Sequence, residues 1–365
     1  LADAEADQDP IYAVIKGYGS SSDGRAKSVY APRAAGQALA IRRAYEKTDY
    51  DLDTVELIEA HGTGTVAGDI AEMEGLKLAF AESGRTDKQW CALGSVKSQI
   101  GHTKSAAGAV AVLKTALALH HKVLPPTIKV NEPNPTLDFA NSPLYLNTKS
   151  RPWLSSAQRP RRAGLSAMGF GGTNFHFTLE EYQGAAQKPL RIPEDSRCLL
   201  LFSGEHSSAL QKDINSVRNQ LAEHSLIAVA KQSQTQFDAN ADQRLAILAS
   251  DCEEALRLLE IVEERLEKTT DDWSIPGSVF FSNTPQQGKL AFLFPGQGSQ
   301  YLNMGSELLT AFPQAHQAWE HAGKALKLDT PLHQIVFPVP VFSEQEVQEQ
   351  ESELRQTEWA QPALG

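Results

Sequence analysis

Cysteine is scarce in this chain, with three residues among 365. Cys91, Cys198 and Cys252 lie far apart, in apolar or helix-like stretches. They therefore offer neither a disulfide framework nor the paired spacing of a metal site. Because this cysteine usage suits a reducing compartment, we expect a cytoplasmic protein with no bound metal.

Long apolar runs and an excess of positive charge are also missing. No uncharged apolar stretch reaches the roughly 18 residues of a membrane span, and the acidic start has no apolar signal core. The formal net charge of -11 disfavours a broad nucleic-acid surface. We therefore expect neither a membrane span nor a nucleic-acid partner. Because the chain has no initial Met and stops at "QPALG", we also expect that both ends were cut from a longer protein.

Strand-like and helix-like stretches alternate over residues 1–184. "TVELIEAHGTG" predicts a strand that ends at His61, "GDIAEMEGLKLAF" a helix, and "CALGSVKS" the next strand. "SAAGAVAVLKTALALHH" is apolar nearly all round, which predicts a helix buried inside a domain. "RRAGLSAMGFGGTNFHFTLEEY" predicts two strands joined by a glycine turn. This alternation indicates a layered α/β domain.

The composition changes after residue 184. Residues 183–196 are polar with two prolines, which indicates a linker before a small α/β unit. Asp251 and Glu254 are placed to cap the start of a helix in that unit. One face of this helix is apolar, with Ala255, Leu258, Leu259, Val262 and Leu266. From Lys289 onward, "KLAFLFPGQGSQ" predicts a further strand running into a Pro-Gly turn and then a helix.

Two histidines stand where α/β folds display functional groups. His61 ends a predicted strand and precedes "GTGT", and His102 precedes the predicted buried helix. A helix N-terminus disfavours imidazolium, so a neutral His102 would suit stabilising an oxyanion rather than abstracting a proton. If the two strands are neighbours, both imidazoles meet at one point. The alternative is that each histidine is simply hydrogen-bonded within its turn.

A lysine and a glutamate accompany the histidines. Lys97 is predicted at the end of a strand, and Glu72 lies one turn into the helix after "GTVAGD". A buried lysine and a buried carboxylate each need a partner, so we predict that they pair. The alternative is two solvated surface charges.

Three ordered motifs carry a family resemblance. "EAHGTGTVAGDIAE", "GSVKSQIGHTKSAAG" and "GFGGTNFH" resemble the C-terminal half of a β-ketoacyl synthase of the thiolase-like fold. "FLFPGQGSQ" resembles the opening of a malonyl/acyl transferase domain. This domain order is similar to that of iterative type I polyketide synthases, and the wording "QWCALGSVKSQIGH" and "GQGSQYLNMG" most resembles bacterial polyunsaturated fatty acid synthases.

The resemblance implies three domains and two reactions. Residues 1–184 would be the C-terminal part of the ketosynthase, residues 185–286 a small α/β linker domain, and residues 287–365 the start of the transferase α/β domain. The parent enzyme would catalyse decarboxylative Claisen condensation of a malonyl thioester with a cysteine-bound acyl chain. It would also transfer malonyl groups to an acyl carrier protein, whose phosphopantetheine carries the substrates.

The resemblance also implies residue roles. His61 and His102 would help drive decarboxylation and stabilise the enolate. Lys97 would be the active-site lysine and Glu72 its partner. The family's threonines that contact the phosphopantetheine arm match Thr63 and Thr65. The gating phenylalanine, whose backbone N–H contributes an oxyanion hole, matches Phe170, and half of the transferase oxyanion hole matches the backbone N–H of Gln297.

Neither family nucleophile has a counterpart in the sequence. The ketosynthase cysteine belongs to the N-terminal half, and the transferase G-H-S-x-G motif does not occur. We therefore expect the chain to be inactive alone. The resemblance implies that the whole synthase is a homodimer through its ketosynthase and that it binds acyl carrier protein. The alternatives are a non-catalytic assembly or docking segment and another thiolase-like enzyme such as a thiolase, in which "FLFPGQGSQ" would have no purpose.

Overall fold

The computed structural model describes residues 1–24, 31–155, 159–184, 197–284, 289, 291–326 and 328–365. Most of the predicted linker, residues 185–196, lies outside the described residues, as do residues 286–287, where the third predicted domain begins. The described residues before 192, together with those from Phe294 onward, form one compact unit. Those within Ile192–Leu293 form a second unit.

The sheets of the first unit come from residues 1–184. The strands described there are β1 (Val14–Ser22), β2 (Leu57–Glu59), β3 (Cys91–Gly94), β4 (Val123–Leu124), β5 (Leu144–Leu146), β6 (Arg151–Pro152), β7 (Arg162–Gly169) and β8 (Thr173–Glu180). The larger sheet has the order β1-β8-β7-β2-β3-β5. Strands β7, β2, β3 and β5 run parallel to one another, whereas β8 is antiparallel to both of its neighbours. Strands β4 and β6 pair separately.

Helices cover both faces of this sheet. The covering helices are α2 (Ala34–Tyr45), α3 (Val66–Ala81) and α5 (Ala107–His121), and the short helices α1 (Ala2–Ala6) and α4 (Lys97–Ile100) bury no residue. Ile41 of α2 and Leu76 of α3 share one apolar cluster with Ile58 of the sheet. On the other face, Leu119 of α5 packs with Leu165. The arrangement of helices, sheet and helix confirms the layered α/β class.

Two details of the sequence prediction for this unit are wrong. The strand before Lys97 ends at Gly94, and Lys97 instead begins the short helix α4. Helix α5 buries one face only, because Leu113 is 59% exposed. An apolar sequence all round a helix does not determine how many of its faces will be covered by other elements.

The second unit is a two-layer α/β fold. Its elements are β9 (Cys198–Gly204), α6 (Ser207–Leu221), α7 (Leu226–Gln236), β10 (Gln243–Ala249), α8 (Cys252–Leu266), β11 (Trp273–Ile275) and β12 (Val279–Ser282). The antiparallel sheet has the order β11-β12-β10-β9. The apolar face predicted for α8 is buried, and the Asp251 side chain accepts the N–H of Glu254 as predicted. Helix α7 and strand β11 were not predicted.

Short helices make up the C-terminal part of the first unit. They are α9 (Ser306–Ala311), α10 (Pro313–Ala325), α11 (Leu332–Val336), α12 (Glu344–Leu354) and α13 (Thr357–Leu364). The strand predicted within "KLAFLFPG" does not form over residues 291–296, where Phe292 is 75% and Leu293 96% exposed. A strand needs a neighbour for its backbone N–H and C=O groups, and no described strand lies beside this segment. No described helix is long and apolar enough to cross a membrane.

Candidate active site

The three segments that carry His61, His102 and Phe170 follow the carboxyl ends of neighbouring strands in the large sheet. Strands β7, β2 and β3 are parallel, so their carboxyl ends lie side by side. His61 follows β2 by two residues, and Phe170 directly follows β7. From β3 the chain passes through α4 to His102. Sheet topology therefore gathers residues that are up to 109 positions apart in the sequence (170 - 61).

The two imidazoles lie edge to face, and both line one cavity. Their ring centroids are 5.6 Å apart and their planes meet at 86°. The cavity, about 570 Å³ in volume, is lined by both histidines, Thr63, Thr65 and Glu72, with the Phe170 loop at its edge. The Phe170 side chain is 89% exposed. This is the arrangement predicted from the two strand ends.

Both histidines are held in the neutral form at neutral pH. Burial lowers the pKa of His61 to about 4, with further lowering from the nearby charges of Lys97 and His102. The pKa of His102 is also lowered, first by burial and then by the charges of Lys97 and Lys104. Neutral imidazoles keep one N–H donor each. The two imidazoles thus offer the cavity hydrogen-bond donors without a permanent charge.

The tautomer of His102 follows from one contact. Its Nδ1 accepts the backbone N–H of Lys104 at 3.0 Å, so the neutral ring carries its proton on Nε2 and can donate there. A 3-10 turn, Lys104–Ala106, separates His102 from α5. The contact is therefore with an amide of this turn, and the start of α5 lies further along the chain than expected. The buried Nδ1 of His61 has no hydrogen-bond partner in the part of the chain that the structure describes.

Glu72 supports the turn that carries His61. Its two carboxylate oxygens accept the backbone N–H groups of His61 at 2.7 Å and Gly62 at 2.8 Å. Burial raises the pKa of Glu72 to about 7, against the lowering effect of these two hydrogen bonds. Gly62 has φ +48, and a Cβ there would meet the Ser95 side chain at 2.7 Å. The turn therefore requires glycine at position 62, and the Glu72 carboxylate holds its backbone N–H groups in place.

The predicted ion pair between Lys97 and Glu72 is wrong. None of the ion pairs among the described residues joins them, and the two oxygens of Glu72 instead accept backbone N–H groups. Lys97 is half-buried and lines a neighbouring cavity of about 360 Å³, which Glu72 also lines. Burial lowers the pKa of Lys97, whereas the charges of Glu72 and Glu59 raise it. The two residues are neighbours without direct contact.

Two threonines lie at the exposed mouth of the cavity. The hydroxyls of Thr63 and Thr65 are 3.2 Å apart, and Thr65 also accepts the N–H of Gly68 as the N-cap of α3. Asp69 accepts the N–H of Gly64 between them at 3.2 Å. Both threonines therefore present hydroxyl groups on a fixed turn.

A buried aspartate ties the Phe170 loop to the end of the neighbouring strand β1. Asp23 accepts from the Asn174 amide at 2.8 Å, and its backbone N–H donates to the carbonyl of Gly172 at 2.7 Å. Gly172 has φ +81, and a Cβ there would lie 2.8 Å from the Cβ of Asp23. Sequence reasoning missed Asp23, which has no apolar pattern around it.

Sequence reasoning also missed a buried ion pair near the segments that carry the histidines, between Glu59 and Lys114. A signal was present for both residues. Glu59 interrupts the apolar run "VELIEA", and Lys114 interrupts the Ala-rich run of α5. A charge inside a run that must be buried is a candidate for a paired, functional position.

The remaining candidates lie outside the histidine cavity. Gln297 is exposed in a turn, where its side chain donates to Thr357 Oγ1 at 3.2 Å. None of the three cysteines lines the cavity. Cys91 is fully buried, and burial raises its pKa well above the usual range. No group of three His, Cys, Asp or Glu residues that could hold a metal occurs in the described ranges.

Comparison with known proteins agrees with the motifs. Residues 12–131 match the family described as beta-ketoacyl synthase, C-terminal domain, and residues 133–248 match the ketoacyl-synthetase C-terminal extension. A polyunsaturated fatty acid synthase from a Thraustochytrium species is 36% identical over 339 residues, which are 87% of this chain and 12% of that protein. Polyketide synthase PksL of Bacillus subtilis is 38% identical over 263 residues, which are 71% of this chain and 6% of that protein.

A solved structure is also similar. The ketosynthase from module 6 of the bacillaene synthase of Bacillus subtilis has 30% sequence identity and a TM-score of 0.49, over 99% of this chain and 58% of that one. This chain spans about a tenth or less of the two synthases named above. The two family matches together cover residues 12–248 almost without a gap. The chain therefore belongs to the β-ketoacyl synthase family of polyketide and polyunsaturated fatty acid synthases, of which it carries the C-terminal domain and the C-terminal extension.

Proposed function

We propose that the histidine cavity carries out the decarboxylation and condensation step of a polyketide or polyunsaturated fatty acid synthase. The observation that supports this most directly is the pair of neutral imidazoles, 5.6 Å apart, facing one cavity. Two uncharged N–H donors at one point suit an oxygen that gains negative charge during a reaction. They suit a permanent anion less well, because that would be bound best by a positive charge.

The reaction creates such an oxygen. When the bond between the malonyl carboxylate and its α-carbon breaks, carbon dioxide leaves and the electron pair moves onto the thioester oxygen as an enolate. We propose that the N–H groups of His61 and His102 donate to that oxygen, and that Glu72 holds the His61 turn in place. The enolate carbon then attacks the acyl thioester carbonyl, the new C–C bond forms, and the cysteine sulfur leaves as thiolate. The backbone N–H of Phe170 would stabilise the acyl thioester oxygen in this step.

The cavity mouth suits a carrier arm. Thr63 and Thr65 present hydroxyls there, and we propose that they contact the phosphopantetheine of an acyl carrier protein domain. Lys97, half-buried beside Glu72, would be the family's active-site lysine, acting without a direct ion pair. The partners would then be malonyl and acyl thioesters, the carrier domain and the rest of a cytoplasmic megasynthase. We also propose that this megasynthase is a homodimer through the ketosynthase.

The domain division and the transferase are further parts of the proposal. We assign residues 1–184 to the ketosynthase, residues 185–286 to a linker domain and residues 287–365 to the start of a malonyl/acyl transferase. The support for the transferase is the motif "FLFPGQGSQ", in which the backbone N–H of Gln297 would form half of its oxyanion hole. The exposed apolar side chains at Phe292 and Leu293 are compatible with a segment that pairs with further transferase strands.

The test uses the full synthase with His61→Ala and His102→Ala. Each change removes one donor to the enolate oxygen, so release of carbon dioxide from a malonyl carrier should fall by at least about 100-fold. Acyl transfer to the cysteine should largely persist, because it uses backbone donors. Since both rings work in the neutral form, the wild-type rate should not fall as the pH rises above the usual histidine pKa of about 6.5.

His224→Ala is the matched control, because His224 is exposed and belongs to the second unit. Its carbon dioxide release should equal that of the wild type. Normal carbon dioxide release in both His61→Ala and His102→Ala would show that the cavity does not perform this step.

A further inference from the structure

A buried ion pair joins the end of β2 to helix α5, near the segments that carry the two histidines. Glu59, the last residue of β2, is 1% exposed. One of its oxygens accepts the Lys114 amine at 2.8 Å, and the other accepts the backbone N–H of Val96 at 2.6 Å. The Lys114 side chain is 10% exposed, and its amine lies 3.6 Å from the position of a Cβ built on Gly94. The pair thus occupies the carboxyl ends of β2 and β3.

The three groups of this contact belong to the two segments that carry the histidines and to helix α5. Glu59 is two residues before His61. Val96 is the residue immediately before α4, which leads through Gly101 with φ +78 to His102. Lys114 lies on α5, the helix that follows His102. One carboxylate therefore connects the segment of His61 to the segment of His102, and the amine joins both to α5.

Stability alone does not explain the pair. The residues along the chain from the pair, Leu57 and Ile58 on β2 and Ala111 on α5, are buried apolar side chains. Replacing a buried ion pair by apolar side chains of similar volume is often neutral or stabilising. What an apolar pair lacks is a directed acceptor for the Val96 N–H. The Glu59 carboxylate, held in place by the Lys114 amine, accepts the Val96 N–H in one orientation. It therefore fixes the start of the segment that leads to His102.

We propose that Glu59 and Lys114 are a positioning pair, which sets the separation and orientation of the His61 and His102 imidazoles by holding their two segments together. The catalytic consequence rests on the proposed function of the histidines. A displacement of about 1 Å at a reacting group can cost on the order of 100-fold in rate. Loss of the pair should therefore lower the decarboxylation rate without removing any group that contacts the substrate.

The first experiment needs no assumption about the reaction. The chain is labelled with ¹⁵N-histidine, and the ring nitrogen resonances of His61 and His102 are assigned from the two alanine variants. Lys114→Met should shift both sets of resonances and change their pH titration, whereas Lys114→Arg, which keeps the charge, should restore them. Arg162→Met is the matched control. Its partner Glu180 lies at 2.9 Å with similar exposure, at the end of the β7-β8 hairpin opposite Phe170.

The second experiment measures carbon dioxide release by the full synthase. Lys114→Met should lower kcat about 10- to 100-fold with little change in KM for the malonyl carrier, and Lys114→Arg should recover most of the rate. Glu59→Gln keeps an acceptor for Val96 and loses the charge. It should therefore be impaired less than Lys114→Met, and it gives a second variant if Lys114→Met does not fold.

The outcomes separate this proposal from the proposed function. If Lys114→Met, or Glu59→Gln where Lys114→Met does not fold, moves the histidine resonances no more than Arg162→Met does, the positioning proposal is overturned, whatever the kinetics. If the resonances move and His61→Ala is impaired while both pair variants keep full rate, the catalytic part is overturned. If His61→Ala and His102→Ala themselves keep normal rates, the proposed function fails, and the resonance shifts still decide the positioning of the rings.

Discussion

The two compact units bury very different side chains. In the second unit the core is formed by apolar residues such as Leu200, Ile247 and Leu259, and Ser233 is the buried polar side chain found among its described residues. The first unit buries charged and polar groups throughout, including Glu59, Glu72, Asp23, Arg161 and His176. Buried polar groups cost free energy unless they are fully paired. The first unit is therefore the part of the chain in which buried side chains hold a defined hydrogen-bonding geometry and do not only fill an apolar core.

Even the exception in the second unit has a structural explanation. Strand β9 is an edge strand, and edge strands expose unpaired backbone groups. Ser233 of α7 accepts the N–H of Leu201 at 3.1 Å, and the Gln234 amide donates to the carbonyl of Leu199 at 2.7 Å. Helix α7 therefore closes this edge with side chains. A polar group is buried here to protect a sheet, whereas in the first unit several such groups shape a cavity.

The largest expected effect in this comparison is an apolar truncation in the second unit. Leu259 is fully buried on α8, so Leu259→Ala should lower the free energy of unfolding by about 2–5 kcal/mol. Chemical denaturation gives the size of the loss, and hydrogen exchange should place it within residues 197–284. Leu256→Ala, on the partly exposed side of the same helix, should cost clearly less. A loss below about 1 kcal/mol for Leu259→Ala would contradict an apolar core as the source of stability.

The same contrast explains which parts of the structure could be predicted. Helix α8 follows from sequence because its buried face has a strict helical period, with an Asp251 cap that forms as expected. Helix α7 was missed although it buries Leu226, Val229 and Ala230, because this apolar face is short and is flanked by the polar run "KQSQTQ". Periodicity reports apolar burial, and it carries no information about side chains that bond to backbone.

In the first unit the motifs located the histidines but not their supports. Strand ends next to glycines predicted that His61 and His102 would meet, which they do. The partner of Glu72 was predicted as Lys97, because opposite charges are expected to pair. Both oxygens of Glu72 bind backbone N–H groups instead, and backbone donors are invisible in a sequence pattern. Glu59 pairs with Lys114 because the order of the sheet brings the ends of β2 and β3 next to helix α5. The sequence pattern does not give that order, so the pair could not be predicted.

A pH-dependent difference should sharpen the contrast between the units. Burial lowers the pKa of His176 to about 3, and its Nδ1 lies 3.0 Å from Ser166 Oγ. Because this pKa is below the unfolded value of about 6.5, the unfolded chain binds the proton first. The stabilising contribution is complete above a pH of about 6.5 and is lost as the pH falls. At a pH of about 5.5 the loss should be about 1.4 kcal/mol.

Denaturation of the wild type and His176→Asn at several pH values measures this effect. Asn keeps a group that can bond to Ser166 but does not titrate, so the stability difference between the two proteins should shrink as the pH falls from about 6.5 to about 5. Glu72 acts in the opposite direction, because its pKa is raised to about 7, but it contributes equally to both proteins and cancels. A difference independent of pH would mean that His176 is not a neutral buried imidazole.

The smallest expected effect is a change in stability at a buried polar side chain that has no role in the cavity. Thr115 follows Lys114 on α5 and is fully buried, and its hydroxyl has no hydrogen-bond partner among the described residues. Thr115→Val keeps the shape and removes the unpaired hydroxyl, so it should raise the free energy of unfolding by about 1 kcal/mol and leave carbon dioxide release unchanged. Thr127→Val is the matched control, because Thr127 Oγ1 accepts the N–H of Ser95 at 3.2 Å and its loss should destabilise by about 1 kcal/mol. If Thr115→Val is instead destabilising, the hydroxyl has a partner that matters. That result would remove Thr115 from the buried polar groups of the first unit that have no structural use.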